Sequence, residues 1–310
     1  MCQFIGWSDG LFKSLFQSVS AFCNAGFDLV GSNSMIPFVT HRITNITCMF
    51  LITIGGLGFL VWDDISNCIK KAIKEKLNFG RFLRSLSLHT KLVLTLQLVL
   101  VVMGTVAFFA CEYDNIATIE NFNLSDKLLI STFHSVSART AGFATVDLSC
   151  LNDITKFIMI FLMLIGGAPG GMAGGLKTTT ILVIILGVLT NIKGKKNISI
   201  LKRTITDGTF IKAVSVVVIA LVLLMLSNMF FIANSEINVL DIMFESTSAF
   251  ATVGLTSGAL AQMNTFCQGL IILLMFVGRV GTTTMAVAFV MKKPRENDLV
   301  VYAKENVIVG

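Results

Sequence analysis

Apolar residues gather along the chain into five long runs, at 43–61, 92–111, 155–190, 211–232 and 268–291, separated by shorter polar stretches. About 20 apolar residues carry a helix across the hydrocarbon core, so each run is predicted to span a membrane, the third with an interruption. Between runs lie amphipathic stretches that end in small polar residues and a glycine. One is "SVSARTAGFATVD" at 135–147, which also carries Arg139. The run at 92–111 ends on the face where the run at 155 must begin, so residues 112–154 leave and return on one side. A water-exposed loop has no use for the apolar "LLISTFHSVS" ahead of Gly142. A half-helix dipping into the bilayer, followed by an extended segment climbing out, accounts for it. Non-helical backbone is tolerated at that depth only inside protein or along a water-filled cavity.

The pattern repeats. "DGLFKSLFQSVSAFCNAGF" (9–27), "DKLLISTFHSVSARTAGF" (126–143) and "DIMFESTSAFATVGL" (241–255) align on Phe-x-Ser, then Ser-Ala, then a small residue and glycine. Gly26, Gly142 and Gly254 are 116 and 112 residues apart. A spanning helix follows each, marked by "IGGLG" (54–58), "IGGAPGG" (165–171) and "VGRVG" (277–281). Self-similarity at a fixed period defines the unit of organisation: a short helix, a glycine-containing segment and a spanning helix. The half-helices are expected at 10–20, 126–137 and 239–248, with their C-terminal ends on one axis. The fold class is thus an all-α membrane protein of helix–pore loop–helix repeats, three of them present. The expected divisions are 1–64, 65–200 and 201–310.

Composition agrees with the pattern. Of 310 residues 54% are hydrophobic and 14% charged, and the mean hydropathy is +0.81, which excludes an ordinary soluble domain. The net charge of +6 does not point to nucleic acid. Seventeen of the 24 Lys and Arg sit in 62–91, 191–212 and the tail after 290, whereas 111–127 and 233–245 hold seven carboxylates against Lys127. By the positive-inside rule the basic segments and the C-terminus are cytoplasmic. The opposite face is acidic, which suits the attraction of cations. Seven cysteines without C-x-x-C spacing and three histidines give no metal site and no disulfide framework. No Ser-His-Asp or paired-carboxylate arrangement supports an enzyme.

A glycine with small neighbours lets consecutive carbonyls face inward, and rings of carbonyl oxygens replace the water around a monovalent cation. The half-helix adds weak negative potential at its C-terminal end. A K⁺ filter uses four such strands around an axis; this chain has three.

At these residues the chain resembles the Trk/Ktr/HKT superfamily of potassium transporters, most closely the membrane subunits of Ktr-type (KtrB-like) uptake systems. The resemblance covers essentially the whole chain. It rests on "NAGF" (24–27), "TAGF" (140–143) and "TVGL" (252–255) in order, on "GGAPGGMAGGLKTTT" (166–180) as an interrupted helix with an intramembrane loop, on Arg279 and on the ending "KENVIVG". It implies a pseudo-fourfold, K⁺-channel-like fold and uptake of K⁺, with Na⁺ coupling (symport) a further expectation, through one pore of four helix–filter–helix repeats in the plasma membrane. It also implies a homodimer in membrane lipid, bearing a cytosolic ring of nucleotide-binding regulatory subunits, and no organic cofactor. The implied filter residues are Asn24, Ala25 and Gly26, Thr140, Ala141 and Gly142, and Thr252, Val253 and Gly254. Glycine at all three central positions suits K⁺, since Na⁺-favouring members tend to carry serine at one. The resemblance further places the start of the chain inside a second repeat, so that a first repeat of about 150 residues lies outside it.

The implied gate comprises Gly170, Gly171, Ala173, Gly174, Lys177 and Arg279. Glycines, alanines and Pro169 cannot hold a regular helix across the bilayer. Gly170 and Gly175 are spaced as in a phosphate loop, but Leu176 separates Gly175 from Lys177, and the segment interrupts a membrane span where a strand-to-helix turn is required. Lys177 reads either as a cation-repelling element or as an anchor reaching the cytoplasm. Arg279 takes the place of Gly56 and Gly167 in the other repeats, where it is expected to face the pore and latch the loop. Arg139 is expected behind its filter segment against a carboxylate such as Glu245, and His134 and Gln17 as packing or bracing groups. Two other classes remain: a secondary transporter of another small solute, built on broken helices, and a non-conducting fragment or assembly subunit.

Overall fold

The structure, a computed structural model, describes residues 7–30, 34–76, 78–194, 198–200, 203–205 and 207–280. The expected span beyond Val280, the C-terminal tail with its basic residues, and Lys195, Lys196 and Lys202 lie outside the described residues. The regular structure of the described residues is almost all helical: α1 (Trp7–Phe22), α2 (Arg42–Gly56), α3 (Phe59–Glu75), α4 (Phe79–Ser85), α5 (Leu88–Glu112), α6 (Leu124–Ser137), α7 (Asp153–Leu164), α8 (Thr178–Ile192), α9 (Asp207–Ala233), α10 (Val239–Phe250) and α11 (Thr265–Val280). A two-residue antiparallel pair, β1 (Ser199–Ile200) with β2 (Arg203–Thr204), links α8 to α9. The expected divisions at 64 and 200 fall within α3 and at this strand pair.

Among the described residues, α5 and α9 are the two single helices long and apolar enough to cross a membrane. Their outward faces carry exposed Leu98, Val102 and Val106, and Leu221, Met225 and Met229, as lipid-facing helices should. The 16, 14 and 12 residues of α1, α6 and α10 reach only about 24, 21 and 18 Å at 1.5 Å per residue, short of a hydrocarbon core of roughly 30 Å. Phe133 of α6 and Phe244 and Phe250 of α10 are buried, so these two half-helices are enclosed by protein. In α1, by contrast, Leu11, Phe12 and Leu15 are exposed.

The run at 43–61 is not one helix. α2 ends at Gly56, and α3 leaves at 96°, with Gly58 at φ 84° forming the corner. The run at 155–190 is interrupted as its glycines lead one to expect, into α7, a loop over 165–177, and α8.

Polar contacts fix the outer and inner ends. Glu112, fully buried at the end of α5, accepts bonds from Asn115 Nδ2 (2.6 Å), Thr118 Oγ1 (2.8 Å), the Asn152 N–H (2.9 Å) and Thr155 Oγ1. It thereby ties α5 to the start of α7. Asp64 of α3 accepts from the Ser87 N–H at 2.9 Å, and Ser87 caps α5. Two ion pairs join one repeat's outgoing helix to the next half-helix. Arg42 of α2 meets Asp126 of α6 at 3.4 Å, and Lys156 of α7 meets Asp241 of α10 at 2.8 Å. Both carboxylates lie in the first turn of their helices, where the macrodipole favours negative charge.

Close helix contact depends on glycine. A Cβ on Gly55 of α2 would stand 1.8 Å from the Phe22 carbonyl oxygen, and one on Gly278 of α11 would stand 1.8 Å from that of Phe250. α2 and α11 therefore each lie directly against the C-terminal turn of their own half-helix. Gly278→Ala is expected to lower stability by about 1–3 kcal/mol through overpacking. Gly269→Ala, on the same helix with nothing within 4 Å, is expected to raise it by up to about 1 kcal/mol through helix propensity. Thermal unfolding of both variants in detergent checks this, and equal effects would contradict the contact.

Candidate functional site: three glycine segments above a loop

Each half-helix is followed within a few residues by a segment of the same backbone shape. Left-handed φ values occur at Asn24 (48°) and Gly26 (74°), at Thr140 (73°) and Gly142 (82°), and at Thr252 (52°) and Gly254 (93°). Ala25, Ala141 and Val253 stand between them. In a regular strand successive residues point to opposite sides; alternating left-handed and extended residues turn successive carbonyls to the same side. Asparagine tolerates this conformation, but for threonine it costs of order 1–3 kcal/mol. The same strain held at the same place in two segments points to a functional constraint.

The three segments meet at their glycines. A Cβ on Gly142 would lie 2.3 Å from the Val253 carbonyl oxygen and 3.1 Å from the Gly26 Cα. One on Gly26 would lie 3.0 Å from the Ala141 carbonyl oxygen, and one on Gly254 would lie 3.6 Å from the Gly142 Cα. The Ala141 and Val253 carbonyls thus face the neighbouring segments. Beneath them, Asn24, Thr140 and Thr252 occupy equivalent positions. The Asn24 amide atoms and the two threonine hydroxyls are buried without a hydrogen-bond partner among the described residues. On the other side a cavity of about 360 Å³ is lined by all three glycines, with Asp28, Asp147, Ser34 and Thr256 around them. Among the described residues this lining includes two carboxylates and no basic group.

Serines brace the segments. Ser20 Oγ donates to the Phe27 carbonyl (2.6 Å), Ser137 Oγ to that of Phe143 (2.5 Å) and Ser248 Oγ to that of Leu255 (2.6 Å). Each bond ties the last turn of a half-helix to the residue after its glycine. These serines are the Ser-Ala marks that align the three repeats, and their bracing role had no separate signal in the sequence. His134 also braces: its Nε2 lies 3.3 Å from the Thr145 N–H and 3.1 Å from Thr145 Oγ1, and its ring stacks on Phe108 at 4.9 Å.

The Arg139–Glu245 pair is not formed. Glu245 Oε1 accepts from Thr256 Oγ1 (2.6 Å), the Ser257 N–H (2.9 Å) and Ser257 Oγ (3.2 Å), because the chain after Gly254 folds back over α10 and supplies these donors itself. Arg139 is buried, with Nε and Nη1 unpartnered among the described residues.

The loop over 165–177 lies beneath the segments. A Cβ on Gly174 would meet Thr252 Oγ1 at 2.0 Å and the Ala251 carbonyl at 2.5 Å. On one side the loop docks on the end of α2: the Ala168 N–H donates to Gly56 O (3.0 Å), the Met172 N–H to Gly55 O (3.2 Å) and the Phe59 N–H to Gly170 O (3.2 Å). Gly171 packs so closely that a Cβ would stand 2.7 Å from Gly56 O. From α11, Arg279 Nη1 donates to Met172 O at 2.8 Å. Lys177 Nζ donates to Ala173 O, also at 2.8 Å, so the two cations hold consecutive carbonyls of one loop. Ala173 is buried, while Gly170 turns at φ 76° against the Phe59 ring.

Residues 6–299 match the family described as "TrkH: Cation transport protein". The Ktr system potassium uptake protein B of Bacillus subtilis (strain 168) is 37% identical over 284 residues, covering 92% of this chain and 61% of that protein. Its namesake in Vibrio alginolyticus is 35% identical, covering 99% and 64%. The potassium/sodium uptake protein NtpJ of Enterococcus hirae is 32% identical, covering 98% and 65%. The chain spans about three fifths of the length of these curated relatives. The crystal structure of the potassium transporter TrkH from Vibrio parahaemolyticus superposes with a TM-score of 0.71 at 16% identity, over 93% of this chain and 60% of that one. At that identity the likeness establishes the fold.

Ser137→Ala is expected to cost about 1–2 kcal/mol, the loss of the only side-chain donor described on a buried carbonyl. Ser18→Ala, which removes a bond only to the preceding turn of its own helix, is expected to be near neutral. Thermal unfolding of the two side by side tests the bracing role, which equal effects would contradict.

Proposed function

Because the chain belongs to the TrkH family of cation transport proteins, we propose that its three glycine segments form part of a filter through which K⁺ is taken up across the plasma membrane. The observation that carries this reading is the threefold match of left-handed residues, serine brace and unpartnered side-chain oxygen at segments that meet at their glycines. Asn24 to Gly26, Thr140 to Gly142 and Thr252 to Gly254 supply the oxygens, and the acidic cavity beside the glycines gathers cations from outside. Ala25 and Gly254 are exposed, on the flank where a fourth segment would close the ring. In this reading residues 1–64, 65–200 and 201–310 are successive repeats around one pore.

The loop is the gate. Gly170, Gly171, Ala173 and Gly174 supply a backbone that can rearrange, while Arg279 and Lys177 hold it beneath the filter and place positive charge in the ion's way. The B. subtilis and V. alginolyticus relatives are named for potassium and the E. hirae relative for potassium and sodium, which supports K⁺ as the cargo and Na⁺ as a coupled ion. The functional form is a homodimer in membrane lipid with a cytosolic nucleotide-binding ring against its basic face, where the C-terminus also lies.

Rb⁺ or K⁺ flux in liposomes, from a four-repeat form, tests both parts. Gly142→Ser is expected to weaken discrimination of K⁺ from Na⁺, since its Cβ would force the strand away from Val253 and re-aim the carbonyls. Arg279→Ala and Arg279→Gln are expected to raise flux and keep selectivity, with Arg279→Lys nearer the parent. Selectivity unchanged in the first variant would contradict the filter assignment. Flux unchanged in all the arginine variants, with normal assembly, would contradict the gate.

A further inference from the structure

A second cavity, of about 460 Å³, opens among the first turns of α5, α8 and α9, at the face that charge asymmetry marks as cytoplasmic. Its volume is within the range of small-molecule sites. Its lining is mixed. Leu92 of α5, Leu182 and Leu186 of α8 and Val216 of α9 give it an apolar wall. His89, Thr179, Thr180, Thr209 and Lys212 give it a polar one. His89 Nε2 is buried with no hydrogen-bond partner among the described residues, and Lys212 is exposed. Among the described residues that line the cavity there is no carboxylate. Pro169, in the loop beneath the glycine segments, forms part of the wall.

A cavity that combines an apolar wall with a cation and hydrogen-bonding groups fits an amphiphile with an anionic head. Basic pockets between membrane helices on the cytoplasmic side recognise anionic lipid headgroups. We propose that this cavity binds an anionic phospholipid, its phosphate against Lys212 and His89 and an acyl chain between α5, α8 and α9. Occupancy bears on the loop through Pro169, whose neighbours Ala168 and Gly170 make the loop's bonds to Gly56 and Phe59. The lipid therefore sets how firmly the loop is held. This regulatory step rests on the reading of the loop as the gate; the binding step does not.

The binding test uses the chain in phosphatidylcholine vesicles doped with a photoactivatable phosphatidylglycerol or its phosphatidylcholine counterpart, with labelled peptides mapped by mass spectrometry. Phosphatidylglycerol is expected to label 88–92, 182–186 and 209–216 about fivefold more than phosphatidylcholine, with Lys212→Gln removing most of the preference. The outward faces around Val102 and Met225 are expected to label equally with both. Equal labelling at the cavity, or a preference unaffected by Lys212→Gln, would overturn the proposal. So would displacement of the label by inorganic phosphate, which would make the ligand a free anion. In a second arm, Rb⁺ flux of a four-repeat form is expected to depend on phosphatidylglycerol, and Leu186→Trp, which fills the cavity, to remove that dependence. Flux that depends equally on the lipid with the cavity filled would overturn the regulatory step. Absence of flux in every lipid would count against the transport reading and leave the labelling result intact.

Discussion

Acceptors held in a protein interior without donors are costly, and the centre of this chain keeps them there in triplicate. Thr140 Oγ1, Thr252 Oγ1 and the Asn24 carboxamide are buried without a partner among the described residues, beneath backbone whose left-handed residues turn carbonyls toward the neighbouring segments. A monovalent cation is the partner such oxygens suit. The surrounding structure keeps them from collapsing onto other groups. Short helices end at the segments, serines hold the far end of each, and Gly55 and Gly278 let spanning helices press against the last turns.

The loop and the arginine belong to the same repeat logic. Gly55, Gly166 and Gly278 occupy equivalent places, but while the first and last pack on the end of their own half-helix, a Cβ on Gly166 would stand 1.8 Å from the Gly174 carbonyl of the loop. The interruption of the middle spanning helix thus puts the loop where its siblings meet their half-helices. At the next position Gly56 accepts from the loop's Ala168 N–H, Gly167 accepts from the Thr178 N–H, and Arg279 donates to Met172 O. One structural position receives, anchors and latches the loop in the three repeats. Arg279 is exposed on α11, and the Met172 carbonyl of the loop gives its guanidinium a partner.

The architecture was legible because it is written three times: the short helices, the glycines and the broken helix each have a marked signature, and repetition removed the ambiguity of any single copy. The corner at Gly58 was not legible, because the apolar run continues through it to Val61 and only the loop's claim on the Gly55 and Gly56 carbonyls ends α2. The Arg139–Glu245 pairing failed for a related reason. Charge complementarity along a sequence does not reveal that Thr256 and Ser257 will fold back and satisfy the carboxylate first. The serine braces were visible as repeat marks, but their partners lie six or seven residues on, across a left-handed turn that no periodicity describes.

The glycine segments, in the function proposed for them, hold a dehydrated monovalent cation. Thermal unfolding of the purified chain, compared in K⁺ and in choline at equal ionic strength, tests this without requiring transport. A ligand bound only by the folded state stabilises it by mass action, about 2.7 kcal/mol at a hundredfold excess over its dissociation constant. The account predicts a midpoint that rises with K⁺ and saturates, whereas identical unfolding in K⁺ and choline across the same range would contradict it.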